Sequence, residues 1–113
     1  MYEEIENETL LYERLLTLTG YVKLKIGGRW IFEHRYIVEK FIGRELSSEE
    51  VIHHINKNKQ HNNLDNLWLF ENEREHQKFH IKLKRYGYYT QPMLTAMKNR
   101  WDKYNDKEEI TIN

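Results

Sequence analysis

The chain has 113 residues, of which 32% are charged and 39% hydrophobic, and its formal net charge is zero; a chain of this size forms one domain with one core. It contains no cysteine, which excludes disulfides, CxxC redox sites and thiolate zinc sites and favours an intracellular protein. No apolar run approaches the roughly 18 residues of a membrane helix, and the acidic start MYEEIENE lacks the basic region of a signal peptide, so we expect a soluble protein without a membrane partner.

Positive charge is concentrated in two segments of the chain. Residues 21–44 contain six Lys or Arg against two Glu, and residues 81–104 contain six against one Asp. Each of these residues, taken alone, is typical of a solvated helix face. Because the two basic segments flank one histidine-rich region, together they favour a polyanionic partner.

The first predicted elements are a helix and a β-hairpin. Over residues 1–18 a weak apolar stripe has the spacing of an amphipathic helix, so we expect residues 1–20 to form an N-terminal helical extension. The stripe contains Ile5, Thr9, Tyr12 and Leu16. Alternating residues at 21–26 and a second run at 29–32 flank Gly27-Gly28, which predicts a hairpin with a tight glycine turn.

A helix is predicted over residues 33–42, where the apolar spacing becomes helical and Gly43 supplies a residue suited to the helix end. Glu33 and His34 open this helix, and we interpret them as capping or local hydrogen-bonding residues. The sequence VIHHIN then predicts a short strand that ends at His53 and His54. Neighbouring side chains on a strand point to opposite faces, so these two imidazoles are expected to do different jobs.

The next segment predicts a loop, a return strand and a helix. The polar residues after His54 indicate a loop, residues 66–70 have β character, and a helix is expected over residues 73–85 with Asn72 as its N-cap, ending near Gly87. Residues 90–113, after a boundary marked by Pro92, are expected to form a C-terminal helix and tail. Five apolar residues in this half of the chain are interpreted as core: Trp68, Phe70, Leu94, Met97 and Trp101.

Four histidines of this region predict a metal site. His76 and His80 are four residues apart, so they share one helix face and can bind one ion together. One histidine of the strand pair could supply a third ligand, and the other could act as a general base, because an imidazole titrates near neutral pH. Three nitrogen ligands leave positions open for water and a phosphate oxygen, as at a catalytic ion.

Residues 20–80 resemble the HNH endonucleases with the ββα-metal fold, especially the small phage and bacterial type. The resemblance rests on four linked motifs in order: EHR at 33–35, GREL-x-x-x-EVIHHINKNK at 43–59, NN-x-x-NL at 62–67 and EHQKFH at 75–80. It implies an α+β domain over residues 21–89 with its ββα-metal core at residues 50–86. Lys57 stands where relatives often have Gly.

The resemblance also implies a role for each site residue. In the colicin-like version of the family, the first histidine of the pair and the two helix histidines hold the metal, and the second of the pair is the base. Carried over to this chain, the resemblance implies that His53, His76 and His80 are ligands and that His54 is the base. Asn66 then corresponds to the asparagine of the HNH motif. Its expected role is to brace the loop between the strands, so that the backbone can hold the His54 ring.

The expected activity is cleavage of DNA, by nicking or by a double-strand break, in the cytoplasm of a bacterial host cell. The cofactor is one divalent ion, with Zn, Ni, Mn and Mg all open. Five basic residues are candidates for phosphate contacts: Arg35, Lys57, Lys59, Lys82 and Arg85. Two alternatives are a metal-stapled module that binds nucleic acid without cutting it and an accessory module of phage DNA packaging, which would have packaging proteins as partners.

Overall fold

The computed structural model describes residues 2–104, and the part of the expected C-terminal tail at residues 105–113 lies outside them. The fold is a mixed α+β arrangement of small antiparallel sheets and several helices. In chain order the elements are α1 (Tyr2–Thr9), β1 (Glu13–Leu16), β2 (Val22–Ile26), β3 (Arg29–Phe32), α2 (Glu33–Ile42), β4 (Val51–His54), a 3-10 turn (Leu64–Asn66), β5 (Leu67–Phe70), α3 (Glu73–Tyr86) and α4 (Gln91–Lys98).

The N-terminal segment differs from the predicted single helix. Helix α1 ends at Thr9, whose hydroxyl donates a hydrogen bond to the Glu6 carbonyl at 2.7 Å, a side-chain contact that competes with continuation of a helix. The chain then turns and forms strand β1, which pairs antiparallel with β2. The prediction of helix over residues 10–18 was wrong. Helical spacing was judged from neighbouring residues only, whereas β1 is stabilised by its pairing with β2, which comes later in the chain.

The predicted hairpin is confirmed. Strands β2 and β3 pair antiparallel around Gly27 and Gly28, whose φ angles are 58° and 79°. Two consecutive residues with positive φ make the type of tight turn that matches the twist of a hairpin. Together with β1 they form a three-stranded sheet in the order β1, β2, β3.

Helix α2 has the predicted bounds and supplies the centre of the core. It ends at Gly43, whose φ is 79° and whose N–H donates to the Glu39 carbonyl. Its apolar stripe packs with residues that follow the histidine pair and with the C-terminal segment, in a cluster of Ile37, Val38, Phe41, Ile42, Leu64, Leu67 and Trp101. This core anchors the start of β5 and therefore the strand that pairs with the histidine strand.

Strands β4 and β5 form a two-stranded antiparallel sheet, and α3 packs on both. His53 lies opposite Trp68 and His54 opposite Leu67 in this sheet. Helix α3 starts as predicted, because the Asn72 side chain accepts a hydrogen bond from the Glu75 N–H at 2.9 Å. Its buried residue Phe79 packs against the ring of Trp68 with centroids 5.0 Å apart.

The C-terminal segment closes the core from the other side. The indole of buried Trp101 donates to the Leu64 carbonyl at 2.9 Å, so its interpretation as a core residue is confirmed. Leu94 is 41% exposed, and the core position on α4 is taken by Met93, one residue earlier. The prediction for Leu94 was wrong because the apolar residues of α4 do not by themselves show which side of the helix faces the core.

Across residues 2–104 there is no helix of the length and apolar character needed to cross a membrane.

Candidate functional site

The two histidines of β4 point to opposite sides, as the strand geometry predicts. The His53 ring lies beside the α3 histidines, with its centroid 5.2 Å from that of His76 and 5.0 Å from that of His80. The His54 ring lies beside His34 of α2, at 5.3 Å. Strand alternation thus places one imidazole against α3 and the other against α2.

The nitrogen atoms of His53, His76 and His80 converge on one point. His76 Nε2 lies 3.2 Å from His53 Nδ1 and 2.9 Å from His80 Nε2, and the candidate ligand atoms of the three rings all lie within 4.8 Å of one another. Two imidazole nitrogens on a tetrahedral zinc ion are about 3.3 Å apart, given a bond of about 2.05 Å. The three rings therefore have the spacing and the donor atoms to hold a divalent ion.

Glu73 fixes the tautomer of His76. Its carboxylate lies 3.1 Å from His76 Nδ1, and because a carboxylate accepts hydrogen bonds, Nδ1 carries the proton. The lone pair of His76 is then on Nε2, the atom that faces the other two histidines. A carboxylate on the far nitrogen of a histidine is the usual support of a metal ligand.

The surroundings favour the neutral form of the His53 and His80 rings. Burial, with the neighbouring His80 and His76, lowers the pKa of His53 from 6.5 to about 4. Burial and His76 also lower the pKa of His80. A ring that is neutral at pH 7 offers a lone pair to a metal without first losing a proton.

His54 sits in a buried polar setting on the other side of β4. Its Nε2 lies 2.7 Å from Asn62 Oδ1, and Asn62 Nδ2 donates to Glu33 Oε1 at 2.8 Å. Burial lowers the pKa of His54 below its usual value, although the hydrogen bond with Asn62 acts in the opposite direction. His54 is consequently unprotonated at neutral pH, the form that a general base requires.

Asn66 braces the loop between the strands. Its Oδ1 accepts from the Asn56 N–H at 3.0 Å, and its Nδ2 donates to Asn56 Oδ1 at 2.9 Å and to the His61 carbonyl at 2.8 Å. The expected bracing is therefore present. The expected backbone partner of the His54 ring is replaced by the Asn62 side chain.

One open cavity of about 260 Å³ joins the two groups of histidines and two lysines. It is lined by Tyr21, Ile52, His53, His54, Lys57, Lys59, His76 and His80. Lys59 donates to the Thr19 carbonyl at 3.0 Å and lies over the Tyr21 ring at 4.7 Å. Four of the histidines and two of the five basic candidates thus meet in one place.

The other three basic candidates lie elsewhere. The Arg35 guanidinium donates to the Ser47 and Glu50 carbonyls at 3.1 and 3.3 Å, which ties α2 to the segment before β4. Lys82 and Arg85 are exposed on α3, two and five residues after His80, and helical periodicity places them on the other side of the helix. The structure does not bring these three residues to the cavity.

Three residues with a role in this geometry were not identified from the sequence. Glu33, interpreted as a capping residue, makes no side-chain cap and is instead 3% exposed and bound to Asn62. Asn62 and Glu33 both lie within quoted motifs, NN-x-x-NL and EHR. Glu73 stands three residues before His76, a spacing that brings a carboxylate to a helical histidine, and this was the available signal.

One of three comparisons with known proteins gives a match. No curated protein and no solved structure gives a significant match to the chain. The resemblance inferred from the sequence is confirmed, since residues 32–77, from the end of β3 to the first turns of α3, match the model of the HNH endonuclease family.

Proposed function

We propose that this protein is a divalent-metal-dependent HNH endonuclease that hydrolyses phosphodiester bonds in DNA. One observation carries the proposal. Three histidine nitrogens that could hold an ion converge beside a separate histidine, His54, in one lysine-lined cavity, within or next to the segment that matches the HNH endonuclease family. The pattern β4, β5, α3 is then the ββα-metal core of residues 50–86.

The ion would be held by His53, His76 and His80, with Glu73 supporting His76. When bound, it supplies positive charge that stabilises the transition state and the leaving 3′ oxygen. Zn, Ni, Mn and Mg remain candidates, and the all-nitrogen donor set favours the softer ions over Mg.

His54 would act as the general base. Its ring lines the same cavity as the three candidate ligands but binds Asn62 instead of joining them. It would take a proton from a water molecule that attacks the phosphorus, and the products would carry 5′ phosphate and 3′ hydroxyl ends. Asn66 would support this step by holding the loop that follows His54.

The substrate would be held by cations that line the cavity, Lys57 and Lys59. Lysine is a common point-charge ligand for phosphate. Arg35, Lys82 and Arg85 stay predicted phosphate contacts, although their positions give less support. A bacterial cytoplasmic setting and a phage origin likewise stay predictions from the resemblance, as does the division into residues 1–20, 21–89 and 90–113.

The alternative is a module that uses the same histidines as a structural staple and binds or packages DNA without cutting. A structural zinc site closes with four protein ligands. Within the described part of the chain, the group of candidate ligands contains three residues, and an open coordination position favours the nuclease.

The test is incubation of purified, metal-stripped protein with supercoiled plasmid and each of Zn, Ni, Mn and Mg in turn. We expect nicking with at least one ion and none in a chelator. The His54→Ala variant, purified in parallel, reports contaminating nuclease. Tight metal binding and DNA binding without any nicking would overturn the proposal and favour the staple.

A further inference from the structure

A chain of polar contacts extends from His54 through buried Asn62 and Glu33 to the partly exposed Arg14. His54 Nε2 lies 2.7 Å from Asn62 Oδ1, Asn62 Nδ2 lies 2.8 Å from Glu33 Oε1, and Glu33 Oε2 lies 2.7 Å from an Arg14 guanidinium nitrogen. Asn62 and Glu33 are 4% and 3% exposed. The chain joins four separate elements, namely β4, the loop before the 3-10 turn, α2 and β1.

The direction of each hydrogen bond follows from the carboxylate at one end. As the ion-pair partner of Arg14, Glu33 only accepts hydrogen bonds, so the group of Asn62 that faces it is the NH₂ group. The amide oxygen of Asn62 then faces His54 and can only accept. His54 Nε2 must therefore carry the ring proton, and the lone pair of the neutral ring is on Nδ1.

We propose that Glu33 and Asn62 are positioning residues that select the tautomer of His54 in which Nδ1 is the basic atom. This inference rests on the proposed role of His54 as general base. A neutral imidazole has one donor and one acceptor nitrogen, so a fixed acceptor at Nε2 decides which nitrogen can take a proton from water. Asn62 alone could turn its amide by 180° and present a donor, and Glu33 prevents that turn.

The fold explains why two residues are needed. Asn62 belongs to a polar loop with no regular backbone pairing, whereas Glu33 is fixed in the first turn of α2, the helix at the centre of the core. Burial strengthens both hydrogen bonds and makes an unpaired group costly. Arg14 extends the support to β1, which gives the N-terminal segment a part in the site.

The direct test is the tautomer of His54 in metal-free protein, read from long-range proton–nitrogen correlation spectra of histidine labelled with ¹⁵N. Signals of His54 are assigned by their loss in the His54→Gln variant. In the wild-type protein at neutral pH we expect a protonated-type Nε2 signal and an unprotonated-type Nδ1 signal. A proton on Nδ1 would overturn the proposal without any further variant.

Variants separate positioning from general stability. Asn62→Ala removes the acceptor, and we expect a mixture of tautomers and a loss of plasmid nicking of about 10- to 100-fold, the usual effect of removing a supporting hydrogen bond. The double variant Glu33→Gln with Asn62→Asp reverses the donor and acceptor between the two positions: the amide introduced at position 33 donates to the carboxylate introduced at position 62, which accepts from His54 Nε2. This pair should restore the Nε2–H tautomer and more nicking than Asn62→Ala shows.

The matched control is Asn63→Ala, because the neighbouring Asn63 is exposed and its side chain contacts Glu6 at 3.3 Å instead of His54. It should leave the His54 spectrum and nicking unchanged. An unchanged His54 tautomer in Asn62→Ala, or no rescue by the double variant, would overturn the proposal. If the wild-type protein shows the expected tautomer and nicks no plasmid with any ion, the proposed nuclease function fails and the positioning geometry stands.

Discussion

Lys57 has a φ of 65° and is the one non-glycine residue with positive φ within residues 2–104. This conformation costs an ordinary residue about 1 to 2 kcal/mol, and the sequence resemblance places glycine here in many relatives. Lys57 also lines the cavity with the histidines. A strained residue at a candidate site suggests that its charge has a use there.

The Lys57→Gly substitution should accordingly have opposite effects on stability and on DNA binding. We expect the free energy of unfolding to rise by up to about 1 kcal/mol, because relief of strain outweighs the added freedom of the unfolded chain. Affinity for plasmid DNA should fall, since one cation leaves the cavity. Urea denaturation and a filter-binding assay measure the two effects, and a variant that is less stable than the wild type would show that the backbone at Lys57 is not strained.

His34 predicts a pH dependence of stability. Burial, with neighbouring His54 and Arg35, lowers the pKa of His34 from 6.5 to about 3, and its Nδ1 is buried without a partner. Between these two pH values the unfolded chain binds more protons than the folded one, so the free energy of unfolding falls as pH falls below 6.5. In metal-free protein, His34→Phe should reduce this slope by as much as about 1.4 kcal/mol per pH unit.

Urea denaturation of both proteins at pH 7 and pH 5 measures the difference. His53, whose pKa is also lowered, contributes to the slope in both proteins and cancels in the comparison. Equal slopes would mean that His34 does not resist protonation.

At the scale of single residues, local spacing was sufficient to predict which side chains point the same way. Strand alternation placed His53 and His54 on opposite sides, and helical periodicity placed His76 and His80 on one face. The choice of His53 over His54 as the third candidate ligand came from the resemblance to the HNH endonucleases. The contact between Glu33 and Asn62 joins residues 29 positions apart, and its formation depends on the packing of α2 against the loop. From the sequence alone, a polar residue at the start of a helix, such as Glu33, is interpreted as a cap. Its contact with a distant loop is visible only in the folded structure.

Helices were predicted well where at least one end carried a local signal. Helices α2 and α3 have a glycine in the left-handed conformation after their last turn, and α3 also has its Asn72 cap. Strand β1 has no such signal, because all four of its residues are exposed. Its extended conformation is held by pairing with β2. Its identity therefore depended on a tertiary contact.

The first turn of α3 leads to a prediction about the metal site. Glu73 holds the His76 ring through Nδ1 at 3.1 Å, although it is largely exposed. We expect Glu73→Ala to weaken zinc or nickel binding by about tenfold, the lower end of the range for such supporting residues. Titration calorimetry measures this effect.

Glu75→Ala is the matched control, because Glu75 is a first-turn carboxylate that pairs with Lys78 instead of a histidine. Both substitutions remove one negative charge from the N-terminal end of the helix. Equal losses of metal affinity in the two variants would assign the effect to charge, and would contradict a specific role of Glu73.

At the scale of the whole molecule, the net charge is zero, but positive charge is concentrated locally at the cavity that Lys57 and Lys59 line. Much of the positive charge is used within the protein: Arg14 pairs with Glu33, Arg44 pairs with Glu50, and Arg35 binds backbone carbonyls. Lys57 and Lys59 line the cavity, where we propose that they hold the substrate, although Lys59 also donates to the Thr19 carbonyl. The sequence could show the basic segments but not which of their members form internal contacts.

DNA affinity should therefore fall steeply between about 50 and 200 mM salt, through release of counterions. Lys57→Gln or Lys59→Gln should each reduce the slope of log affinity against log salt by about 0.9, the value for one phosphate contact. Lys98→Gln, on α4 and outside the cavity lining, serves as the control and should leave the slope unchanged. A flat salt response of the wild type would remove the basic residues from the site.

The central claim is that the two adjacent histidines have different functions, with His53 at the metal and His54 at the proton. Titration calorimetry with zinc or nickel, read beside plasmid nicking, tests it most directly. We expect His54→Ala to keep metal affinity near that of the wild type while nicking falls about a hundredfold or more. We expect His76→Ala to weaken metal binding and to reduce the thermal stabilisation by metal. If His54→Ala loses the metal while His53→Ala keeps both metal and activity, the roles are reversed, and if His54→Ala and His76→Ala both nick at the wild-type rate, the nuclease proposal for this site is wrong.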